Sequence, residues 1–218
     1  MEKMVLLGSG GHAKSVIDTI EQNGCYEIVG FLDTKEKQNY HYRGYAVIGT
    51  DDDLLRLYQE GVHHAFITIG YMGQASIRQT LYQRLKDAKY NIPTIIDASA
   101  QIATDASIGE GTFIGKQVIV NADTVIEHMC IINSGAIVEH DCRVAEQVHI
   151  AVGAVVCGGV MIGKAAFIGA NATILQGKQI GQRAMVGAGS IITKDVEADS
   201  MIYNDIKPCI FKIGDRLR

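Results

Sequence analysis

The hydrophobic positions in the second half of the chain repeat every six residues. From Ile96 to Glu197 the sequence divides into seventeen consecutive rows of six with no insertion, and every row begins with Ile or Val. The fifth residue is small or β-branched in every row except that of Lys178. A strict short period predicts a solenoid, and six residues suit one flat face of a triangular prism built from short parallel strands. Three rows complete one coil, so we expect each row-opening residue to fill the interior and to stack on its equivalent one coil later.

The first 95 residues follow a different pattern, in which short apolar runs alternate with amphipathic segments. Four runs are predicted to form strands, at residues 4–7, 27–32, 45–48 and 65–69. Helices are predicted after the first run, over residues 50–60 and over about 74–89. Strands that alternate with helices indicate a small parallel sheet. We therefore predict an α/β, Rossmann-like domain over residues 1–95 and a solenoid domain over residues 96–218.

A glycine-rich turn joins the first predicted strand to the first predicted helix. It reads GSGGHA at residues 8–13, and such a turn lets backbone N–H groups approach a phosphate at the positive end of the helix. Asp33 ends the second strand, where a carboxylate can accept hydrogen bonds from a ribose or a base, and Gly70 follows a further strand at the same edge. His12 is a candidate for contact with the phosphate or the sugar.

Two alternatives to this nucleotide site stay open. The glycine turn is also compatible with a tight turn that serves packing only, and His12 with a surface histidine at a helix start. The domain is too short for two mononucleotide-binding halves, so we predict a single nucleotide and not NAD.

The composition limits the class of protein. The net charge is −4, which argues against a nucleic-acid partner. No run of about 18 apolar residues is present, so no membrane span is expected. The chain opens on Met-Glu-Lys and enters a strand at once, which is not typical of a signal peptide. Of the five cysteines, Cys130 and Cys142 hold fifth positions and are predicted to be buried thiols, and the expected compartment is the cytoplasm.

The histidines of the repeat are candidates for chemistry. His128 and His140 both stand third in their rows but 12 residues apart, so they belong to different faces and cannot hold one metal ion within a chain. We therefore expect no metal, and we expect His128 to be a solvated side chain. His140 is followed by Asp141, whose carboxylate can hold one ring nitrogen and leave the other as a general base. The alternative is that His140 is a solvated histidine.

The surroundings of His140 can be predicted from the stacking rule. One coil later the chain has Gly158, so the space beside His140 is expected to be open, and a backbone N–H can face a developing oxyanion there. His149 lies half a coil from His140, on the opposite side of the prism. If both serve one site, that site must be built between two chains; otherwise His149 is a surface or interface histidine.

The repeat resembles the left-handed parallel β-helix of the hexapeptide-repeat acyltransferases. Over about residues 3–200 the chain is similar to one branch of them, the bacterial sugar O- and N-acetyltransferases with a small nucleotide-binding domain ahead of the β-helix. That branch includes sialic acid O-acetyltransferases and nucleotide 4-amino-sugar N-acetyltransferases. The matching motifs are GSGGHAKS at residues 8–15, Phe31-Leu32-Asp33, Ile69-Gly70, Ile132-Asn133, Val138-Glu139-His140-Asp141 and His149.

The resemblance implies a homotrimer with acetyl-CoA in the groove between adjacent β-helices and a nucleotide sugar as the acceptor. It implies that His140 is the general base, that Asp141 orients it and that His149 lies near the thioester. The implied CoA-channel residues, besides His149, are Gly158, Ala170 and Ala188, and the implied acceptor-binding residues are Gly10, Gly11, His12, Asp33 and Gly70.

Two departures from the family pattern stand out. Many relatives end on a Gly-x-Pro-Ala-Lys turn that closes over the CoA, whereas this chain has YNDIKP at residues 203–208. CoA contacts from that loop are therefore not expected to follow the family. Lys178 occupies a small-residue position, so we expect a loosened corner after Gln176-Gly177.

Together these features predict an acetyl-CoA-dependent N-acetyltransferase acting on the 4-amino group of a nucleotide-linked sugar, with UDP favoured, in glycan or polysaccharide biosynthesis. The alternative within the class is O-acetylation, for example of free sialic acid, which needs no nucleotide. An alternative of another class is a non-catalytic scaffold on a β-helix frame, which predicts no acetyl-CoA binding.

Overall fold

The N-terminal part of the chain is a five-stranded sheet with three helices. A computed structural model describes residues 1–71 and 76–204 of the chain. The strands are β1 (Glu2–Leu7), β2 (Tyr26–Leu32), β3 (His41–Tyr42), β4 (Tyr45–Gly49) and β5 (His64–Ile67). The helices are α1 (Gly11–Asn23), α2 (Leu54–Gln59) and α3 (Ser76–Asp87), with 3-10 turns at Lys35–Lys37 and Asp51–Asp53.

The sheet is parallel, as predicted, apart from one hairpin. The strand order is β3-β4-β2-β1-β5, and only β3 and β4 pair antiparallel. The sequence did not predict β3, a strand of two residues. The start of the predicted helix at residue 74 lies outside the described residues.

The second part is a parallel β-helix with three flat faces, which confirms the prism. Face A contains β6 (Ile95–Ile96), β9 (Phe113–Ile114), β12 (Ile131–Ile132), β15 (His149–Ile150), β18 (Phe167–Ile168), β21 (Met185–Val186) and β23 (Met201–Ile202). Face B contains β7 (Gln101–Ile102), β10 (Ile119–Val120), β13 (Ile137–Val138), β16 (Val155–Val156), β19 (Thr173–Ile174) and β22 (Ile191–Ile192). Face C contains β8 (Ser107–Ile108), β11 (Val125–Ile126), β14 (Arg143–Val144), β17 (Met161–Ile162) and β20 (Gln179–Ile180).

The predicted stacking register is confirmed by the strand pairing. Val120 pairs with Val138 and Val138 with Val156, each one coil apart, and all three side chains are buried in the interior. The fourth residue of most rows adopts a positive φ, as in Asp123 (φ 56) and Asn171 (φ 54). The sequence analysis did not use this position, although its Gly, Asn and Asp content is typical of left-handed turns.

The predicted loosening at Lys178 is wrong. The preceding Gly177 has the same positive φ as the other corners, 67°, and its amide donates to the Gly158 carbonyl at 2.9 Å. The Lys178 carbonyl accepts from the Met161 amide at 3.0 Å. The corner keeps its shape because these bonds join backbone groups only and do not depend on the side chain.

The N-terminal part packs on face A of the β-helix. Phe113 and Ile131 from face A share a buried cluster with Val16 and Ile17 of α1. The Thr19 hydroxyl donates to a buried carboxylate at the start of the β-helix at 3.0 Å. The division into domains at residue 95 stays a prediction, and β6 runs across it.

Within residues 1–71 and 76–204, every helix is too short or too polar to cross a membrane. The cytoplasmic location predicted from the sequence stays a prediction.

Candidate active site

His140 and Asp141 form a hydrogen-bonded pair at the corner between faces B and C. They lie in the turn between β13 and β14, and Nδ1–H of His140 donates to Oδ2 of Asp141 at 2.7 Å. Nε2 is thereby left as the acceptor. The hydrogen bond to Asp141 raises the pKa of His140, and 53% of the His140 side-chain surface is exposed. The pair is therefore an accessible base held in one tautomer.

Gly158 lies one coil after His140 and leaves room for its ring. A Cβ at this position would lie 2.6 Å from both Cε1 and Nε2 of His140. The space that the sequence predicted to be open is therefore occupied by the imidazole itself. The Gly158 amide donates to no carbonyl within the described ranges, so this N–H is not used by the backbone hydrogen bonds of the β-helix.

His149 is buried on the outer surface of face A. Only 9% of the residue is exposed, and Nδ1–H donates to the Tyr71 carbonyl at 2.6 Å. The ring packs edge-on against Phe167 at 5.2 Å, and the buried Nε2 has no partner among the residues described. Burial lowers the pKa of His149; the hydrogen bond to the Tyr71 carbonyl opposes this, and the charge of Arg78 adds a smaller lowering. His149 is thus not a surface histidine but a neutral imidazole with an unused acceptor.

His12 has a similar environment. Its ring packs edge-on against Phe113 at 5.0 Å, and its buried Nε2 has no partner in the described part of the chain. Burial lowers the pKa of His12 to about 3. The alternative of a surface histidine is wrong, because α1 presents this side chain to the β-helix. Gly70 lies alongside, since a Cβ on it would be 3.6 Å from Cβ of His12.

Asp33 holds the glycine turn in place through hydrogen bonds from Ser9. The Asp33 carboxylate accepts hydrogen bonds from the Ser9 amide at 2.7 Å, the Ser9 hydroxyl at 2.6 Å and Lys37 at 2.9 Å. Partial burial raises the pKa of Asp33, but these bonds outweigh it and lower the pKa to about 2. Gly10 and Gly11 have open space where a side chain would stand. The turn is therefore fixed on one side and accessible on the other.

Two cavities lie beside the glycine turn and α1. One of about 280 Å³ opens at the carboxyl edge of the sheet and includes Gly8, Asp33 and Ile69 in its lining. The other, of about 290 Å³, lies between α1 and the β-helix and includes Lys14 and Lys116. Carboxyl edges of parallel strands are where such sheets bind ligands.

The predicted site residues fall into two groups within one chain. His140, Asp141 and Gly158 lie at the corner between faces B and C. His149 lies on face A, and Ala170 and Ala188 lie in the turns that lead from face A to face B. The acceptor-side residues lie with this second group, since His12 packs on Phe113 of face A. Within one chain the two groups do not come together.

The remaining candidates have structural roles. The His128 ring stacks on Tyr82 at 5.1 Å and is half-buried, so it is partly solvated. Cys130 and Cys142 are buried as predicted, and burial raises the pKa of the Cys130 thiol to about 12. Residues 205–208 of the atypical C-terminal loop lie outside the described residues.

Sequence reasoning missed the contacts of Tyr71 and Arg78 with the β-helix. The Tyr71 hydroxyl donates to the Ala165 carbonyl, and Arg78 donates to the Met129 carbonyl. These partners are more than 50 residues apart in the chain, and no short motif connects them.

Two family descriptions match separate parts of the chain. The PglD N-terminal domain matches residues 3–85, and the hexapeptide repeat of succinyl-transferase matches residues 159–194. Among curated proteins, an uncharacterised protein of Acanthamoeba polyphaga mimivirus is 32% identical over 119 residues. That match spans 55% of this chain and only 22% of the viral protein.

Solved structures match over nearly the whole chain. A histidine-to-asparagine variant of perosamine N-acetyltransferase from Caulobacter crescentus, in complex with CoA and GDP-perosamine, is 30% identical with a TM-score of 0.88. The match covers 94% of each chain. The acetyltransferase domain of PglB from Neisseria gonorrhoeae, in complex with acetyl coenzyme A, is 27% identical with a TM-score of 0.85. That match covers 95% of this chain and 99% of the other.

These likenesses confirm the α/β domain followed by a left-handed parallel β-helix and an acyltransferase fold. The chain therefore belongs to the hexapeptide-repeat sugar acetyltransferase family and is an acyltransferase.

Proposed function

We propose that this chain transfers the acetyl group of acetyl-CoA to the 4-amino group of a nucleotide-linked sugar. The observation that carries the proposal is the His140–Asp141 pair, joined at 2.7 Å with its ring over Gly158. The Caulobacter enzyme named above was crystallised with CoA and a nucleotide-linked amino sugar, and the Neisseria domain with acetyl coenzyme A, which supports both substrates.

The proposed reaction needs one base and one oxyanion donor. The sugar amine attacks the thioester carbonyl carbon, and Nε2 of His140 takes a proton from the attacking nitrogen. Asp141 stabilises the imidazolium that forms, and the Gly158 amide donates to the oxyanion of the tetrahedral intermediate. The C–S bond then breaks, and the CoA thiolate accepts the proton that His140 took from the amine. This route needs no covalent enzyme intermediate and no cysteine nucleophile.

The site is proposed to form between two protomers of a trimer. The two groups of site residues stand at opposite edges of face B, on which Ile119, Ile137 and Val155 are half-buried. If face B packs on the next chain around a three-fold axis, the His140 group of one protomer meets the His149 group of its neighbour. A heterologous contact of this kind closes into a ring. CoA would then pass between Gly158 of one chain and Ala170 and Ala188 of the other.

The acceptor is proposed to bind through the glycine turn. Gly10 and Gly11 leave the first amides of α1 open to a phosphate, and Asp33 holds the turn in place. The sequence-based prediction of a UDP-linked sugar is retained. A GDP-linked sugar is the second candidate, because the Caulobacter enzyme holds GDP-perosamine. The pathway is proposed to be glycan or polysaccharide biosynthesis.

The test is CoA thiol release with acetyl-CoA and a panel of acceptors. The panel contains UDP-, dTDP- and GDP-linked 4-amino sugars and free sialic acid. Turnover of one nucleotide-linked amino sugar supports the proposal and identifies the nucleobase of the acceptor. Turnover of sialic acid alone would replace it with O-acetylation, and failure to bind acetyl-CoA at all would favour the scaffold.

A further inference from the structure

Arg78 joins the N-terminal part to the β-helix from a buried position. It lies on α3 with 2% of its surface exposed. One terminal nitrogen donates to the Ile69 carbonyl at 2.6 Å, and the other donates to the Met129 carbonyl at 2.8 Å. Ile69 follows β5, and Met129 lies in the corner turn between β11 and β12. The planar guanidinium therefore bridges two backbone segments from different parts of the fold.

In the described part of the chain, the Arg78 guanidinium bonds to neutral carbonyls. Among residues 1–71 and 76–204, no carboxylate lies within 4.0 Å of its guanidinium. Buried cations are usually paired because their desolvation is unfavourable. The planar guanidinium offers donors at fixed positions to both carbonyls.

The bridged segment leads directly to His149. Two residues after Ile69, the Tyr71 carbonyl accepts the Nδ1–H of His149 at 2.6 Å. The same tyrosine is anchored by its hydroxyl to the Ala165 carbonyl. The carbonyl fixes the tautomer of His149, so Nε2 carries a lone pair and no proton. That atom is buried and has no partner among the described residues.

We infer that Arg78 is a positioning residue for His149: its guanidinium holds the segment after β5 against the β-helix, so that the Tyr71 carbonyl stays in place to accept from Nδ1. The inference rests on the proposed function, in which His149 lies beside the thioester. A neutral Nε2 there can accept a hydrogen bond from an N–H of the bound cosubstrate, and a protonated one cannot.

Two cations lie near the contact between His149 and Tyr71. Arg78 comes from α3, and Arg183 of the β-helix, which is paired with Asp199, acts on Tyr71. The other titratable groups that face this region are His12 from α1, Tyr71 after β5 and Cys130 from the β-helix. Burial lowers the pKa of His12 to about 3 and raises that of Cys130 to about 12. Both are therefore uncharged near neutral pH. Arg78 stays protonated, although burial lowers its pKa to about 10.

The test reads the His149 imidazole directly, by long-range ¹H–¹⁵N spectra of protein labelled in histidine. The His149→Gln variant identifies the signals. In the wild type we expect a neutral ring protonated on Nδ1 alone near neutral pH. In Arg78→Gln, which keeps N–H donors but is too short to span both carbonyls, we expect a measurable population protonated on Nε2. A single Nδ1–H tautomer identical to that of the wild type would overturn the inference.

Arg78→Lys keeps the positive charge but loses the bridge between the Ile69 and Met129 carbonyls. It also provides a test if Arg78→Gln does not fold. One ammonium cannot hold both carbonyls in the same plane. We therefore expect a neutral ring with a measurable population protonated on Nε2. An unchanged single tautomer in this variant would count against the inference.

Activity gives a separate readout. With the acceptor found in the panel, Arg78→Gln should lower kcat by roughly 10- to 100-fold, as small displacements in an active site do, and Arg78→Lys should restore part of it. Lys86→Gln, an exposed cation on the same helix, is the control and should match the wild type. If no acceptor is turned over, the proposed function fails while the spectra still decide the role of Arg78.

Discussion

His140, the general base in the proposed reaction, is oriented by Asp141, the next residue in the sequence. Asp141 adopts a positive φ of 60°, and the resulting turn brings its carboxylate to Nδ1 of His140. The pair was predictable from sequence because it is local. The ring position over Gly158 was only partly predictable, because the stacking rule gives the neighbour but not the direction of the side chain.

Removal of the Asp141 charge should move the pH profile of the enzyme. Because Asp141 raises the pKa of His140, the neutral base forms at a higher pH than in an isolated histidine. In Asp141→Asn the pKa should fall, so the acid limb of kcat/KM should shift to lower pH. The plateau should fall by less than the roughly 10²–10⁴-fold that a general base contributes. An acid limb that stays in place would mean that His140 does not govern it.

A methyl group at position 158 should displace the base without unfolding the protein. The added Cβ in Gly158→Ala would lie 2.6 Å from the imidazole, and the exposed ring can turn away. We expect a loss of kcat with a change in the free energy of unfolding within about 1 kcal/mol, measured by urea denaturation. Cys157→Ala, at the adjacent residue, is the matched control and should retain activity. Full activity of Gly158→Ala would contradict the geometry.

At the scale of elements, each coil is held by backbone bonds and by interior side chains. The period of six was readable from the sequence because one aliphatic residue per face is buried. The effect of Lys178 could not be predicted from the sequence, because corner geometry depends on a left-handed fourth residue and on backbone bonds rather than on the fifth side chain.

A lysine side chain should be tolerated at the half-buried fifth position 178 but should destabilise the protein at the fully buried fifth position 172. Lys178→Ala should change the free energy of unfolding by no more than about 0.5 kcal/mol, because the native side chain is only half-buried and the corner bonds remain. Ala172→Lys places the same residue at a fully buried position and should cost about 1–3 kcal/mol or more through overpacking and desolvation. Thermal and urea unfolding provide the measurement. Equal effects would contradict this account of the corner.

The elements of the N-terminal part were predicted well where the hydrophobic pattern is strong. The parallel strands and α1 follow from apolar runs and from the amphipathic segment after the first run. The packing of α1 on Phe113 was not predictable, because neither residue carries a sign of its partner. That packing buries Nε2 of His12, a residue that sequence alone suggested as a surface or ligand residue.

At the scale of the whole molecule, the site residues are divided between two edges of one face. The sequence indicated this division through the half-coil spacing of His140 and His149, and the fold places the two on different faces. Assembly is therefore part of the proposed catalytic mechanism rather than an addition to it.

Mixed trimers test whether one site uses two chains. His140→Ala and His149→Ala should each be weakly active alone. Coexpressed in equal amounts, they should recover about a quarter of the wild-type activity, because some interfaces then combine an intact His140 with an intact His149. No recovery in trimers verified to contain both chains would place each site within one protomer.

The most direct measurement of the central claim is kcat of His140→Ala against wild type, with acetyl-CoA and the acceptor that the panel identifies. A positioned base contributes roughly 10²–10⁴-fold, so we predict a loss of that size with weak residual activity from substrate positioning. The KM for acetyl-CoA should change little, because the imidazole acts on the acceptor amine. Activity equal to that of the wild type would contradict the assignment of His140 as the general base.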